Sequence, residues 1–380
     1  MEEYVDAVVA ECRKVEEQKS RRAEEQKSRK AENTLKPDFQ KATLVAKGQK
    51  NLTLLQSCVQ TIYFGGGTPT LLPVNLLQKI LNAIYESFEV ESDDEITIEA
   101  NPEQCSFEYL SELRKLGFNR ISIGIQSFNE EILQYLGRTH SVNEALGAVE
   151  NAQKAGFENI SVDLIYGIYS RPLDDWKNEL NRVFSLPVKH LSAYSLTVEE
   201  NTLLHKKITQ KKILNIDEEQ SLQEMRLLME EAEKNGFEHY EVSNFALKGF
   251  HSKHNSNYWN GMPYLGFGAG AHSYYGDCRC WNVSNVEQYI QAVENNEKCF
   301  ETEYLTLENQ YNEYILLRLR TKNGIDLKHL EDCFGIEKRN HFLQTLQKMD
   351  SKFYTNNSGN ISITKEGLPL LDFITEKLII

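Results

Sequence analysis

Glu99, Gln126 and Asp163 each close a short run rich in β-branched residues, and Gly65-Gly66-Gly67-Thr68-Pro69 follows another. Side chains of these types can bind a ligand that carries hydroxyl and amine groups. A carboxylate such as Asp163 can accept two hydrogen bonds from a ribose diol, and Glu99 can pair with a ligand ammonium. The glycines let a ligand approach the backbone closely and meet its N–H and C=O groups. One such polar residue alone is more often satisfied by backbone; three on successive runs point to a site.

Strands must hold these groups. The runs fall at 59–64, 95–100, 120–125, 159–165, 190–196 and 239–242, with longer amphipathic stretches between them. Strands alternating with helical stretches predict parallel βαβ units. Three joints repeat one pattern, Leu116-Gly117-Phe118, Ala155-Gly156-Phe157 and Asn235-Gly236-Phe237. Glycine suits the left-handed residue that closes a helix, and the phenylalanine can pack under the helix end. A full or partial (β/α) barrel follows. In residues 120–126, Ile121, Ile123 and Ile125 alternate with Ser122, Gly124 and Gln126; in 159–165, Ile160, Val162 and Leu164 alternate with Ser161 and Asp163. Helices cover the outside of such a barrel, so the small polar face is expected to point inward. Working groups lie at the C-terminal strand ends.

The ends of the chain differ from this middle. Residues 1–12 are expected to be a barrel helix, with Tyr4, Val5, Val8, Val9 and Cys12 on one apolar face. Residues 13–58 form an insertion and linker that contains a tandem repeat, EEQKSRRA (16–23) and EEQKSRKA (24–31). Its 13–34 stretch has eight Lys/Arg against five Glu and few apolar residues, so it is expected to be a solvated or disordered extension. The barrel is assigned to 59–250 and an irregular region rich in Gly, Asn, Tyr and Trp to 251–304. Residues 305–380 are assigned to a small winged-helix-like unit, three helices followed by a hairpin at Asn356–Gly359 and a last helix.

A net charge of −14 argues against nucleic acid as a partner, and the C-terminal unit is balanced at ten Lys/Arg and ten Asp/Glu. No apolar run reaches the roughly 20 residues that span a bilayer. Seven scattered cysteines suggest reduced thiols.

The ordered set TIYFGGGTPTLL, EITIEANPE, GFNRISIGIQSFNEEILQYLGRTH, SVDLIYG and SAYSLTVEENT resembles the radical S-adenosylmethionine (SAM) proteins of the oxygen-independent coproporphyrinogen III oxidase-like group. YEVSNFA, HNSNYW and YLGFGAGAHSY are similar to its HemW haem-chaperone branch. The resemblance covers residues 1–12 and 59–380. It implies that Gly66, Gly67, Thr68 and Glu99 face the methionine amine of SAM, that Gln126 and Asp163 hold the ribose hydroxyls, and that Arg138 pairs with the SAM carboxylate, a contact that suits guanidinium geometry. The family pattern HNxxYW falls on His254, Asn255, Tyr258 and Trp259 and implies haem binding, with His254 as candidate iron ligand. His251 lies beside it. His272 is expected to be structural or pocket-lining.

The resemblance also implies a [4Fe–4S] cluster on a C-x3-C-x2-C loop, and no such spacing occurs in this sequence. The expectation is that an N-terminal segment with the first strand and the cluster loop is missing, and that the chain as given starts no radical chemistry. Tyr166-Gly167-Ile168-Tyr169-Ser170-Arg171-Pro172 also departs from the family, which has a proline soon after YG. The implied function is a haem chaperone serving an unknown acceptor protein. The alternatives are an oxygen-independent coproporphyrinogen III oxidase and a non-catalytic binding module. A cytoplasmic location is expected, or a mitochondrial one if a presequence preceded Met1.

Overall fold

The computed structural model describes residues 1–15, 58–168, 171–198, 203–210 and 217–380. The charged tandem repeat lies outside the described residues, as do Tyr169 and Ser170. In chain order the elements are α1 (2–15), β1 (Val59–Phe64), α2 (Val74–Ser87), β2 (Val90–Ala100), α3 (Phe107–Leu116), β3 (Arg120–Gln126), α4 (Glu130–Tyr135), α5 (Val142–Lys154), β4 (Asn159–Tyr166), α6 (Leu173–Ser185) and β5 (His190–Ser195). They continue with α7 (Leu203–Thr209), α8 (Glu218–Lys234), β6 (Phe237–Glu241), β7 (Asn244–Leu247), α9 (Lys253–Trp259), β8 (His272–Tyr275), β9 (Cys278–Asn282), α10 (Val286–Glu294) and β10 (Phe300–Tyr304). The last are α11 (Leu307–Leu319), β11 (Ile325–Asp326), α12 (Leu327–Phe334), α13 (Ile336–Leu346), β12 (Tyr354–Asn357), β13 (Asn360–Ile363) and α14 (Leu371–Leu378).

A seven-stranded sheet in the order β1-β2-β3-β4-β5-β7-β6 curls into a partial (β/α) barrel. β2, β3, β4 and β5 pair in parallel. The helices between them are set by local signals. Ser106 caps α3 by accepting from Tyr109 N, and Gly117 closes it at φ 106°. Ser141 and Glu144 form a reciprocal capping box on α5. Gly156 and Gly236 also take left-handed φ, as the repeated joint requires, and Phe118, Phe157 and Phe237 are buried behind the three glycines. The aliphatic faces of β3 and β4, including Ile121, Ile123, Ile160 and Val162, are fully buried, as are Leu110, Leu113, Val149 and Leu180 on the helices. Each such side chain contributes about 1.5–3 kcal/mol through burial.

The end of the sheet departs from a simple parallel barrel. β7 lies between β5 and β6 and runs antiparallel to both. The turn at 242–243 folds the chain straight back, so β6 never reaches β5. Residues 251–304 also carry more order than their weak periodicity indicates: the helix α9, the antiparallel sheet β10-β9-β8 and the helix α10.

The chain divides into two compact units. One collects residues 1–62, 72–94 and 261–310. Within it α1 buries Val5, Val8, Val9 and Cys12, and its Glu11 accepts from Gly268 N (3.0 Å), Asn282 Nδ2 (2.9 Å) and the Tyr289 hydroxyl (2.7 Å). The other collects 63–71, 95–260 and 311–380. Its C-terminal part has the helix–strand–helix–helix–hairpin order of a winged helix, with the small sheet β11-β13-β12 over a core of Tyr311, Ile315, Leu330, Phe342, Ile361 and Ile374.

Candidate functional site

Parallel register lines up the inward-facing residues. Glu99 stands beside Ser122, Ser122 beside Ser161, and Asp163 beside Ser192. Ser122 Oγ donates to Asp163 Oδ1 at 3.1 Å, so the small polar residues do share the face opposite the buried aliphatic one.

At the strand ends, Glu99 accepts from the Tyr63 hydroxyl (2.7 Å) and from Gly66 N (3.2 Å). Asn101 Nδ2 donates to Thr68 Oγ1 at 3.3 Å. Gly65 is a steric necessity: a Cβ there would stand 2.7 Å from Glu99 Oε1. Gly66, at φ 79°, and Gly67 differ, since a Cβ on either meets no atom within 4 Å. Their backbone faces open space that a ligand can use. Gln126 sits at φ 69° where the β3–β4 register shifts, a conformation costly for a non-glycine residue. A Cβ on Gly124 would come within 2.8 Å of Gln126 Nε2, so the amide lies back across that glycine.

Asp163 is pushed up to about 6, first by burial and further by Glu99, while hydrogen bonds from Ser192 and Ser122 and the charge of Arg120 pull it down. In the unfolded chain the carboxyl releases its proton near pH 4. Between about pH 4 and 6 the native state therefore holds a proton that the unfolded state has lost, and stability falls as pH rises through that window. Asp163→Asn removes this cost. The expected result in urea titrations is a variant that gains on wild type from pH 4 to pH 7; a constant gap would contradict the assignment.

Arg138 is half-exposed in the turn after α4, where Arg138 N donates to Leu133 O (2.8 Å) and Gly137 takes φ 73°. His140 ties that turn to the end of β3 through Ile125 O at 3.0 Å. The structure thus groups Gly66, Glu99, Gln126 and Asp163 on the strand ends, and puts Arg138 on an adjoining turn without a contact to them.

His254 is in the first turn of α9. Glu95, on the inward face of β2, caps that helix by accepting from Ser252 Oγ (3.3 Å), Lys253 N (3.0 Å) and His254 N (3.0 Å). The His254 ring stacks on Tyr63 at 4.7 Å and its Nε2 lies 3.0 Å from the Tyr258 hydroxyl. Burial, helped by the charge of Arg120, lowers His254 to about 4, so the imidazole is neutral at physiological pH. Tyr63 therefore joins the two halves of the site, its hydroxyl on Glu99 and its ring on His254. Asn255 and Trp259 are half-buried, and Tyr258 is 40% exposed. His251 stacks on Tyr240 at 4.3 Å and pairs with Glu238 at 3.1 Å. His272 is an exposed residue at the start of β8 and stacks on Trp281.

Sequence reasoning missed Tyr63, Glu95 and Arg120. Alternation in TIYF and EITIEA marks the first two as inward-facing, but nothing local reveals their partners.

All seven cysteines are free thiols, and among the described residues no three His, Cys, Asp or Glu side chains converge on a metal site. Cys278 and Cys280, 3.7 Å apart, are buried on β9. The residues described do not fit a [4Fe–4S] cluster.

The radical SAM superfamily model matches residues 34–183, and the HemN C-terminal domain model matches 305–370. The chain is 35% identical over 323 residues to the heme chaperone HemW of Lactococcus lactis subsp. lactis, covering 85% of each. It is 35% identical over 330 residues to the heme chaperone HemW of Bacillus subtilis, covering 86% of this chain and 85% of that one. It is 33% identical over 304 residues to the mitochondrial radical S-adenosyl methionine domain-containing protein 1 of Mus musculus (74% and 67%). Among solved structures, the coproporphyrinogen III oxidase HemN of Escherichia coli superposes with a TM-score of 0.71 at 23% identity, over 84% of this chain and 78% of that one, a likeness of fold.

Proposed function

We propose that this chain, which belongs to the heme chaperone HemW family of the radical SAM superfamily, binds haem as cargo on the α9 segment and passes it to an acceptor protein. The observation that carries this reading is the state of His254. Burial keeps its imidazole neutral, the form that ligates iron, and Tyr258 and Trp259 on the same helix supply aromatic surface for a porphyrin. Loading at Nε2 then requires it to leave the Tyr258 hydroxyl.

The strand ends suit SAM. Glu99, Gly66, Gly67 and Thr68 would hold the methionine amine, Gln126 and Asp163 the ribose hydroxyls, and Arg138 the carboxylate. When bound, SAM supplies a cleavable sulfonium. The chain's own residues orient it: Tyr63 and Gly66 N fix the Glu99 carboxylate, and Ser122 fixes Asp163.

Coproporphyrinogen oxidation draws support from the HemN likeness, which is one of fold. Among the described residues no helix is long and apolar enough to cross a membrane.

Haemin titration tests the cargo reading. Wild type is expected to shift the Soret band at one equivalent, and His254→Ala to bind at least about tenfold more weakly, the loss of roughly 1.4 kcal/mol or more. A wild-type protein that leaves the Soret band of free haemin unmoved would end it.

A further inference from the structure

Arg120 opens β3 and points into the barrel with only 1% of its surface exposed. Its Nε has no hydrogen-bond partner, and among the described residues its guanidinium forms no ion pair. Isolated buried charge is costly, several kcal/mol per ion even after relaxation. Beside it, in register on β2, stands Thr97, fully buried, with an Oγ1 that also lacks a partner. Two adjacent inward side chains thus present unmet hydrogen-bonding capacity on one face.

The neighbouring groups are committed elsewhere. Glu95 accepts from residues 252–254, Glu99 from Tyr63 and Gly66, and Asp163 from Ser122. His190, opening β5, has both ring nitrogens engaged, Nδ1 with Ser161 Oγ at 2.7 Å and Nε2 with the Tyr240 hydroxyl at 2.8 Å. The charge of Arg120 reaches Tyr63, Asp163, His190, Tyr240 and His254, so the guanidinium lies amid the strands and not outside them. Arg120 is also six residues, about 20 Å, from the Gln126 end of its strand. It thus opens its strand at the end opposite Gln126, one inward position below Ser122 and Glu99.

The geometry points to a second binding site there, in which Arg120 and Thr97 receive one carboxylate. A planar guanidinium donates to a carboxylate through two parallel N–H groups, and the threonine hydroxyl supplies a further donor. The carboxylate is either a free small anion or the acidic arm of a larger ligand. The second source rests on the haem reading, since haem carries propionates; the first does not.

The test is thermal unfolding of wild type, Arg120→Met and Thr97→Val in formate, acetate or chloride at equal ionic strength. It is paired with titrations of haemin and of haemin dimethyl ester, whose propionates are blocked. Formate or acetate at ten times its Kd is expected to raise the wild-type Tm by about 2–3 °C over chloride. The rise should vanish in Arg120→Met and shrink in Thr97→Val, which keeps the side-chain shape and carries the test if the arginine variant fails to fold. A free anion gives the Tm response with equal affinities for haemin and its ester. A propionate gives at least tenfold weaker binding of the ester by wild type and no difference in Arg120→Met. If neither carboxylate raises Tm and the ester binds like haemin, Arg120 is merely hydrated and the site does not exist.

Discussion

Arg171→Ala is expected to destabilise the protein by about 3–5 kcal/mol, the range for breaking a buried ion pair from one side. Arg171 is 6% exposed and donates from Nε (3.1 Å) and Nη2 (2.6 Å) to the two oxygens of Glu224, itself fully buried. Glu179 lies 3.6 Å from Nη1, an ion pair without a hydrogen bond, and burial raises its pKa. The guanidinium also lies 4.2 Å over the Trp176 ring. One cation thus serves two buried carboxylates, and its removal leaves both uncompensated. Arg171→Lys should recover only part of the loss, since an ammonium cannot reproduce the two-pronged contact. Urea unfolding followed by tryptophan fluorescence measures both. A loss below about 1 kcal/mol for the alanine variant would show that the network contributes little. The effect should also reach the strand ends, because Ser127 donates to Glu179 (2.6 Å) directly after Gln126, and Gly167 N donates to Glu224 (2.6 Å) directly after β4.

Glu99→Gln should weaken SAM binding about 10–100-fold, the equivalent of one hydrogen bond to a charged group. Glutamine keeps the shape and can still accept from Tyr63, so the change isolates the charge that would meet the ligand amine. Calorimetric titration of SAM and of 5′-deoxyadenosine separates that contact from general damage. The nucleoside lacks the methionine ammonium, and its affinity should be the same for both proteins. Equal affinities for SAM itself would remove Glu99 from the site.

The parts legible in the sequence are those set by short-range pattern. Ile121, Ile123 and Ile125 alternating with Ser122 and Gly124 gave the two faces of β3, because a strand has a period of two. The Gly-Phe joints gave three helix ends, because a left-handed residue favours glycine at that position. The C-terminal helices and hairpin followed from their own periodicity. What was not legible depends on distant partners. The four residues of β7 are too few to reveal that they insert beside β5. α9 has a local cap in Ser252, but the carboxylate that also accepts from its first turn is 158 residues away from Lys253 and left no local signal. Arg120 read as the polar start of a strand, and only the curl of the sheet shows that it points inward. Arg171 and Glu224 are 53 residues apart, and neither predicts the other.

The dependence of α9 on Glu95 has a consequence for portability. Seven residues are too few to hold a helix in water, so the segment has no shape of its own to carry elsewhere. A chimera that received residues 251–259 alone would inherit the letters of the motif and lose its geometry. One that also received an acid at the Glu95 position and an aromatic residue at the Tyr63 position would have the support as well. The smallest transferable unit is thus a constellation of two strands and one helix, and comparisons of the motif across distant proteins are best made at all three places together.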